Sequence, residues 1–339
     1  MDLSDFNFPF DQTLVAKHPV HPRDHARLLV VGRHGGEISD RSVKDLVDIL
    51  RSGDLLVVNN TKVLPARLWA KKIPNGGLVE LMFVKAIDEE HAEVLIKGRM
   101  KVGQIVECKE YARAQVVEKE CGRTVIHWLG PGTMRQWLLA HGQIPLPPYL
   151  KRPPVSRDQE DYQTIFAKVE GAIAAPTAGL HFTPQLIAQL GDKGIRTVMV
   201  TLHVGPGTFQ SVKTTDVEHH IMHPEWFEVS EETAERIREV RRRGGRIVAV
   251  GTTVARSLES AIDETGHLRS CSGETALFIL PGFQFRVIDA LLTNFHFPGT
   301  TLLMLVAAFA GLKEARGAYE HAVRERYRFY SYGDAMFIQ

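Results

Sequence analysis

The chain has 339 residues, enough for a large buried core and a length that suggests about two domains. Its 41 lysines and arginines nearly balance 40 aspartates and glutamates, so no global field advertises a polyanionic partner, although local clusters can still meet phosphates. Three scattered cysteines, Cys108, Cys121 and Cys271, form no CxxC pair, which argues against a disulfide framework and a cysteine-based zinc site and fits a reducing cytoplasm.

The first 20 residues lack a basic stretch followed by an apolar core and do not read as a signal peptide. Residues 1–27 carry Pro9, Pro19 and Pro22 with no period, and predict an extended segment running into a strand over Arg27–Val31. Asp40 precedes apolar residues at Val43, Leu46, Val47 and Leu50: helical spacing, with an N-cap and a Gly53 stop. Leu55–Val58 is a buried strand that ends in Asn59, Asn60, Thr61 and Lys62, and polar groups released at a strand's carboxyl end are a common pocket wall.

Residues 63–150 change character, with short β-rich runs at roughly ten-residue spacing, the pattern of a small antiparallel sheet or barrel. Arg67, Lys71, Lys72, Lys97, Arg99 and Lys101 belong to these runs, either as a solvated face or as a nucleic-acid groove. The proline-dense segment GQIPLPPYLKRPP, residues 142–154, reads as an ordered linker returning to the first domain. Beyond it a helix is predicted from Asp158 through DQEDYQTIFAKVEG. Thr183 and Pro184 then open a second helix, and GIRTVMVTLHV makes a strand. Ser230 caps a helix with acids first and arginines last. RIVAVGTTVARSLESAID reads strand, turn, helix; GETALFILPGF and VIDALLTNFHFPGT supply two more strands. Thr300–Gly311 is a buried helix too short to span a bilayer, ARGAYEHAVRERYRF is an amphipathic helix, and YSYGDAMFIQ is extended. Strand–helix alternation outside 63–150 argues for an α/β domain with ligands at strand carboxyl ends.

Polar residues gather in two glycine-rich runs, AAPTAGLHFT and TLHVGPGTF. The first brings Thr177, Gly179 and His181; the second brings His203, Gly205, Gly207 and Thr208. Small residues beside titratable ones leave room for a ligand and aim polar groups at it; two tight turns with locally bonded histidines are the plainer reading. Gly251-Thr252-Thr253 opens a helix whose free N–H groups favour an acceptor, unless it is simply an N-cap, and Arg256 and Glu259 follow on that helix. A second cluster, Thr293–His296, also follows a strand. Glu218, His219, His220, His223, Glu225 and His296 raise a metal-dependent hydrolase as an alternative, but the spacing matches no known ligand pattern, and no metal is expected. An imidazole as acid–base or orienting group fits better.

AAPTAGLHFT, LHVGPGTF, VGTTVARSLES, LLTNFHFPGTTLLMLVAAFAG and YRFYSYGDAMFI, with DFNFPF, HPVHPRDHARLLVV, DLLVVNNTKVLPARL and GQIPLPPYLKR, resemble the S-adenosylmethionine:tRNA ribosyltransferase-isomerase family of queuosine biosynthesis over nearly the whole chain. One departure stands at Pro298-Gly299-Thr300-Thr301-Leu302, where the family pattern has Pro-Lys-Ser-Thr-Leu: a hydroxyl remains, the lysine is missing, and no lysine role is assigned.

The resemblance implies an α/β main domain (residues 1–62 and 151–339) with an inserted small antiparallel β-barrel domain (63–150). It implies transfer and isomerisation of the ribosyl part of S-adenosylmethionine onto 7-aminomethyl-7-deazaguanine at the tRNA wobble position, giving epoxyqueuosine-tRNA, adenine and methionine. S-adenosylmethionine is then a substrate, and no cofactor is expected. A base must remove a C5′ proton acidified by the sulfonium, and a donor helps adenine to leave. His181, His203 and His296 are the candidates, with Glu259 and Asp334 as orienting carboxylates. Thr177, Gly179, Gly205, Gly207, Thr208, Thr252, Thr253, Arg256 and Asn294 are candidates for holding S-adenosylmethionine. Arg23, Lys62 and Arg67 near the domain junction are candidates for tRNA phosphates, with the wobble base unstacked. A cytoplasmic monomer is expected. The remaining alternative is a noncatalytic RNA-binding module, which would release no adenine.

Overall fold

A computed structural model describes the chain apart from residues 34, 121–122, 206–211, 213 and 215. It begins with β1 (Arg27–Val31), β2 (Ile38–Ser42), the one-turn helix α1 (Leu46–Ile49), β3 (Leu55–Asn59) and β4 (Thr61–Val63). Next come β5 (Arg67–Ile73), β6 (Leu78–Ala86), β7 (His91–Lys97), β8 (Ile105–Glu107), β9 (Arg113–Glu120) and β10 (Arg123–Trp128), then α2 (Met134–His141), α3 (Asp158–Asp161) and β11 (Val169–Ala172). The remainder is α4 (Pro184–Asp192), β12 (Arg196–Leu202), β13 (Glu225–Val229), α5 (Glu231–Arg242), β14 (Ile247–Val250), α6 (Thr252–Ser260), β15 (Cys271–Thr275), β16 (Ala290–Asn294), α7 (Thr301–Ala310), α8 (Leu312–Arg324) and β17 (Ala335–Ile338).

Nine strands form one mixed sheet in the order β15-β13-β12-β3-β14-β16-β17-β1-β2. Its centre is parallel: β3 lies between β12 and β14, and β14 pairs with β16. All five β3 residues are buried, the signature of a strand covered on both faces. Side-chain alternation divides its apolar residues between two cores. Leu55 and Val57 face one with α6, α7 and α8, and Leu56 and Val58 face the other with α4. Each such side chain contributes about 1.5–3 kcal/mol by leaving water.

The α/β main domain carries the barrel as an insertion. Strands β5 to β10 close antiparallel in the order β10-β7-β6-β5-β8-β9. Burial alternates along β5 and β6, so Leu68, Ala70, Val79, Leu81 and Phe83 fill the interior. Trp137 of α2 packs against Trp128, with ring centroids 5.3 Å apart. The incoming strand β4 and the returning strand β11 pair in parallel, which brings the two connections side by side.

Where caps were readable the helices follow them. Thr183 accepts from Leu186 N at 3.1 Å and Ser230 from Thr233 N at 3.2 Å, each worth about 1 kcal/mol; Thr300, not read as a cap, accepts from Leu303 N at 3.3 Å in the same way. Three expectations fail. Asp40 caps no helix: it lies in β2 opposite Leu29, and its carboxylate takes the Tyr327 hydroxyl at 2.5 Å and His321 at 3.1 Å. The turn begins instead after Ser42, whose N–H donates to Asp45 at 2.9 Å. The helix from Asp158 stops after one turn, because Asp158 is drawn back to Arg152 and the chain then pairs with β4. The strand expected over GETALFILPGF ends at Thr275.

Candidate active site

A cavity of about 260 Å³ opens at the carboxyl ends of β14 and β16. Gly251 turns the chain from β14 into α6 with φ +95°, a conformation that strains any side-chain-bearing residue. It carries no side-chain cap, and Thr252 and Thr253 of the first helical turn line the cavity. Asn59, at the end of β3, braces this turn: its Nδ2 donates to Leu202 O at 3.0 Å and to Thr253 Oγ1 at 3.2 Å, while its Oδ1 accepts from Thr61 N and Leu202 N.

Asn294 ends β16 and connects three segments. Its Nδ2 donates to the Tyr330 carbonyl at 3.0 Å and approaches His181 Nε2 at 3.2 Å, and its Oδ1 accepts from Thr177 Oγ1 at 3.2 Å. This set is satisfied together when His181 is neutral with Nε2 as acceptor. Burial favours that form and pushes the His181 pKa down to about 4, against the opposing pull of Asp334. His296 lines the cavity, exchanges a hydrogen bond with Thr293 Oγ1 at 2.9 Å, and is pushed down to about 3 by burial. Burial therefore favours the neutral form of both imidazoles at neutral pH, each with one donor and one acceptor nitrogen.

Arg256 is on the cavity wall, but its guanidinium is already used. It forms a buried ion pair with Glu225 and donates to Leu277 O at 3.0 Å and Thr275 O at 3.4 Å. Thr177, Thr252, Thr253, Arg256, Asn294 and His296 are therefore the sequence candidates brought to one cavity.

The other candidates are placed elsewhere. His181 stands behind Asn294 and acts on the cavity through it. His203 faces away. Val204 lines the cavity, whereas His203 bonds Thr61 Oγ1 at 2.8 Å and stacks on Trp226 at 5.1 Å. A Cβ on Gly171 would sit 2.6 Å from the His203 ring, so that glycine makes the packing possible. Glu259 is not on the cavity wall: it accepts from the amides of Arg286, Val287 and Ile288 at 2.9–3.2 Å. Asp334 likewise holds the amides of Arg27 and Arg328 and pairs with the Arg328 guanidinium at 3.0 Å. Gly179 packs on Thr164, and Gly205 N donates to Glu225 at 2.8 Å. Gly207 and Thr208 lie outside the described residues.

The three expected phosphate contacts are already engaged. Arg23 donates to Gln163 O and Glu160 O at 2.7 Å, Lys62 pairs with Glu170 at 3.2 Å, and Arg67 pairs with Glu80 at 3.0 Å. Among the described residues no group of three or more His, Cys, Asp or Glu side chains is arranged to hold a metal ion. His219 pairs with Asp216, and His220 packs on Phe278.

Sequence reasoning missed the aromatic wall: Tyr149, Tyr162, Phe297 and Tyr330 also line the cavity, with Ser331 beside them. The signal was present as tyrosines in PLPPYL and YSYGD, segments read only as a linker and an extended end. The Tyr149 hydroxyl and Ser331 Oγ share a hydrogen bond of 2.5 Å, and Tyr330 is held at φ +72°.

The family described as queuosine biosynthesis protein matches residues 3–338. A relative from Pelobacter propionicus is 47% identical over the full length of both chains, and one from Xanthomonas euvesicatoria is 45% identical over all of this chain and 97% of its own. Both are named S-adenosylmethionine:tRNA ribosyltransferase-isomerase. A crystal structure of S-adenosylmethionine tRNA ribosyltransferase from Thermotoga maritima superposes with a TM-score of 0.58 at 35% identity, covering 99% of this chain and all of that one.

Proposed function

The chain belongs to the queuosine biosynthesis protein family, and from that membership we propose that it is an S-adenosylmethionine:tRNA ribosyltransferase-isomerase. It moves the ribosyl portion of S-adenosylmethionine to 7-aminomethyl-7-deazaguanine at the wobble position of tRNA and rearranges it to the epoxycyclopentanediol of epoxyqueuosine, releasing adenine and methionine. The observation that carries this reading is that segments far apart in sequence, around Thr177, Thr252, Asn294 and His296, meet at one cavity in a chain alignable end to end with relatives of that name.

The cavity's chemistry suits the steps. The carboxylate of the methionine portion is an anion, and the uncapped start of α6 with Thr252 and Thr253 offers it N–H and hydroxyl donors. Arg256 is a weaker candidate for that task, because Glu225 already balances it. His296, on the cavity wall, is our candidate for accepting the C5′ proton, on position alone, since the burial that keeps it neutral also weakens it as a base. His181 is a positioning residue that fixes Asn294, and Asn294 and Thr177 are left to orient the ribose hydroxyls. The wobble base has to leave its stack to reach this depth. Among the described residues no helix is long and apolar enough to cross a membrane.

The test is adenine release from S-adenosylmethionine, followed with tRNA carrying 7-aminomethyl-7-deazaguanine and, in parallel, with tRNA carrying guanine at the wobble position. Adenine is expected only with the first, and unchanged by a chelator. Release with neither substrate overturns the reading, and release abolished by the chelator favours the metal-dependent alternative.

A further inference from the structure

A sulfonium nucleoside brings a permanent positive charge into this cavity, and the described residues that line it include no aspartate or glutamate. Its single lining cation, Arg256, is neutralised by Glu225. His296 is held neutral by burial. Among the described residues of the wall the charge therefore meets no opposite charge, although it loses water on entering. What the wall does offer is aromatic surface. Tyr149 and Phe297 stand perpendicular with centroids 5.8 Å apart, Tyr149 and Tyr330 are inclined by 43° at 4.4 Å, and Phe297 meets Tyr330 edge-on. Three mutually inclined rings form a corner, and ring faces attract cations through their quadrupoles, most strongly where water is excluded.

Resting on the function proposed above, we propose that the corner of Tyr149, Phe297 and Tyr330 receives the sulfonium centre and so distinguishes S-adenosylmethionine from its neutral thioether counterpart. The corner is held in place before any ligand arrives. The Tyr330 amide donates to Phe295 O at 3.1 Å, its carbonyl accepts from Asn294, and the Tyr149 hydroxyl is tied to Ser331. The same Asn294 that orders the polar side of the cavity thereby sets the backbone of the aromatic side. The Tyr330 hydroxyl, on a residue only 8% exposed, has no hydrogen-bond partner.

Calorimetric titration of S-adenosylmethionine and S-adenosylhomocysteine into the wild type, Phe297→Leu and Tyr330→Leu tests this. The two ligands differ by the methyl group and its positive charge. The wild type is expected to prefer the sulfonium. Each leucine variant is expected to lose about ten- to thirtyfold in affinity for it, while the thioether stays within about threefold. Phe297→Tyr and Tyr330→Phe keep the rings and are expected to keep the preference, which separates loss of the corner from loss of fold. Equal weakening of both ligands in the leucine variants, or a wild type that does not discriminate, overturns the proposal while adenine release by the wild type leaves the functional reading standing. A wild type that neither binds S-adenosylmethionine nor releases adenine overturns both.

Discussion

The central sheet has a cavity at each end of its parallel strands, and the two contrast in everything except size. At the carboxyl ends, about 260 Å³ is bounded by hydroxyls, an amide hub, neutral imidazole and aromatic rings. At the amino ends, about 310 Å³ lies among Asp54, Arg196, Arg236, Glu239 and Arg243, with Gly194, Gly244 and Gly245. The second cleft is rich in charge, yet the charges answer one another: Glu239 takes Arg236 and Arg243, both at 2.6 Å, and Asp54 takes Arg246 at 2.7 Å. The first has on its wall a helix start with no side-chain cap and a set of aromatic rings. Volume does not mark a site. What marks it is hydrogen-bonding and π capacity that the protein leaves unspent.

The sharpest way to break this comparison is to remove one arginine from each cleft. Arg256 and Glu225 form a buried pair with side chains 7% and 6% exposed. Arg256→Ala removes the guanidinium that faces the buried Glu225 carboxylate, a change that costs about 3–5 kcal/mol, and melting is expected roughly 6–12 °C lower. Arg243, 76% exposed in its pair, is expected to give no measurable change in melting or adenine release as Arg243→Ala. Thermal melts of the two variants side by side decide it. Equal effects, in either direction, erase the distinction between a built wall and a solvated rim.

Much of this contrast was legible in the sequence, for reasons that also set its limits. The apolar runs of β3, β14 and β16 are buried on both faces, so composition alone marks them, and whatever polar residue follows each one arrives at the same sheet edge. That is why Thr252, Thr253, Asn294 and His296 were found. His203 lies off the cavity because residues leaving a strand alternate in direction: one step places Val204 in the cavity and His203 against Thr61. Glu259 lies off the cavity because it is seven residues beyond Thr252, about 10 Å along the helix axis. Tyr149 and Tyr330 were unreadable as partners because their meeting depends on how a segment beyond the barrel insertion packs against the end of the chain, a contact across some 180 residues that no local pattern encodes.

The two clefts also differ in how they respond to acid. His181 and His296 are depressed by burial to about 4 and about 3, below the value near 6.5 of an unfolded imidazole. The unfolded chain therefore binds more protons between those values, and stability rises with pH across the window: it is fully present above about 6.5 and is lost as pH falls toward 4 for His181 and toward 3 for His296. Between pH 7 and pH 4.5 each site is expected to withdraw about 2–3 kcal/mol. His181→Asn or His296→Asn flattens the dependence by that amount, read from denaturant titrations at the two pH values. Arg243→Ala, in a cleft whose described lining includes no histidine, leaves the slope as it is. A wild-type slope unchanged by both histidine substitutions contradicts neutral burial.

Glu259 gives the smallest effect and the finest cut, because it belongs to the helix that opens the active cavity yet behaves like the far edge of the sheet. Its Oε1 takes the amides of Val287 and Ile288, and its Oε2 takes that of Arg286. Burial raises its pKa even though all three donors oppose the rise. Glu259→Gln replaces one acceptor oxygen with a donor that faces an amide N–H, and about 1–2 kcal/mol of stability is expected to go with it. Adenine release per folded molecule is expected to stay within about twofold, since the carboxylate meets only backbone. A drop of tenfold or more in turnover, with melting unchanged, reverses the assignment: the carboxylate then serves the reaction, and the boundary between scaffold and site moves two turns down the helix.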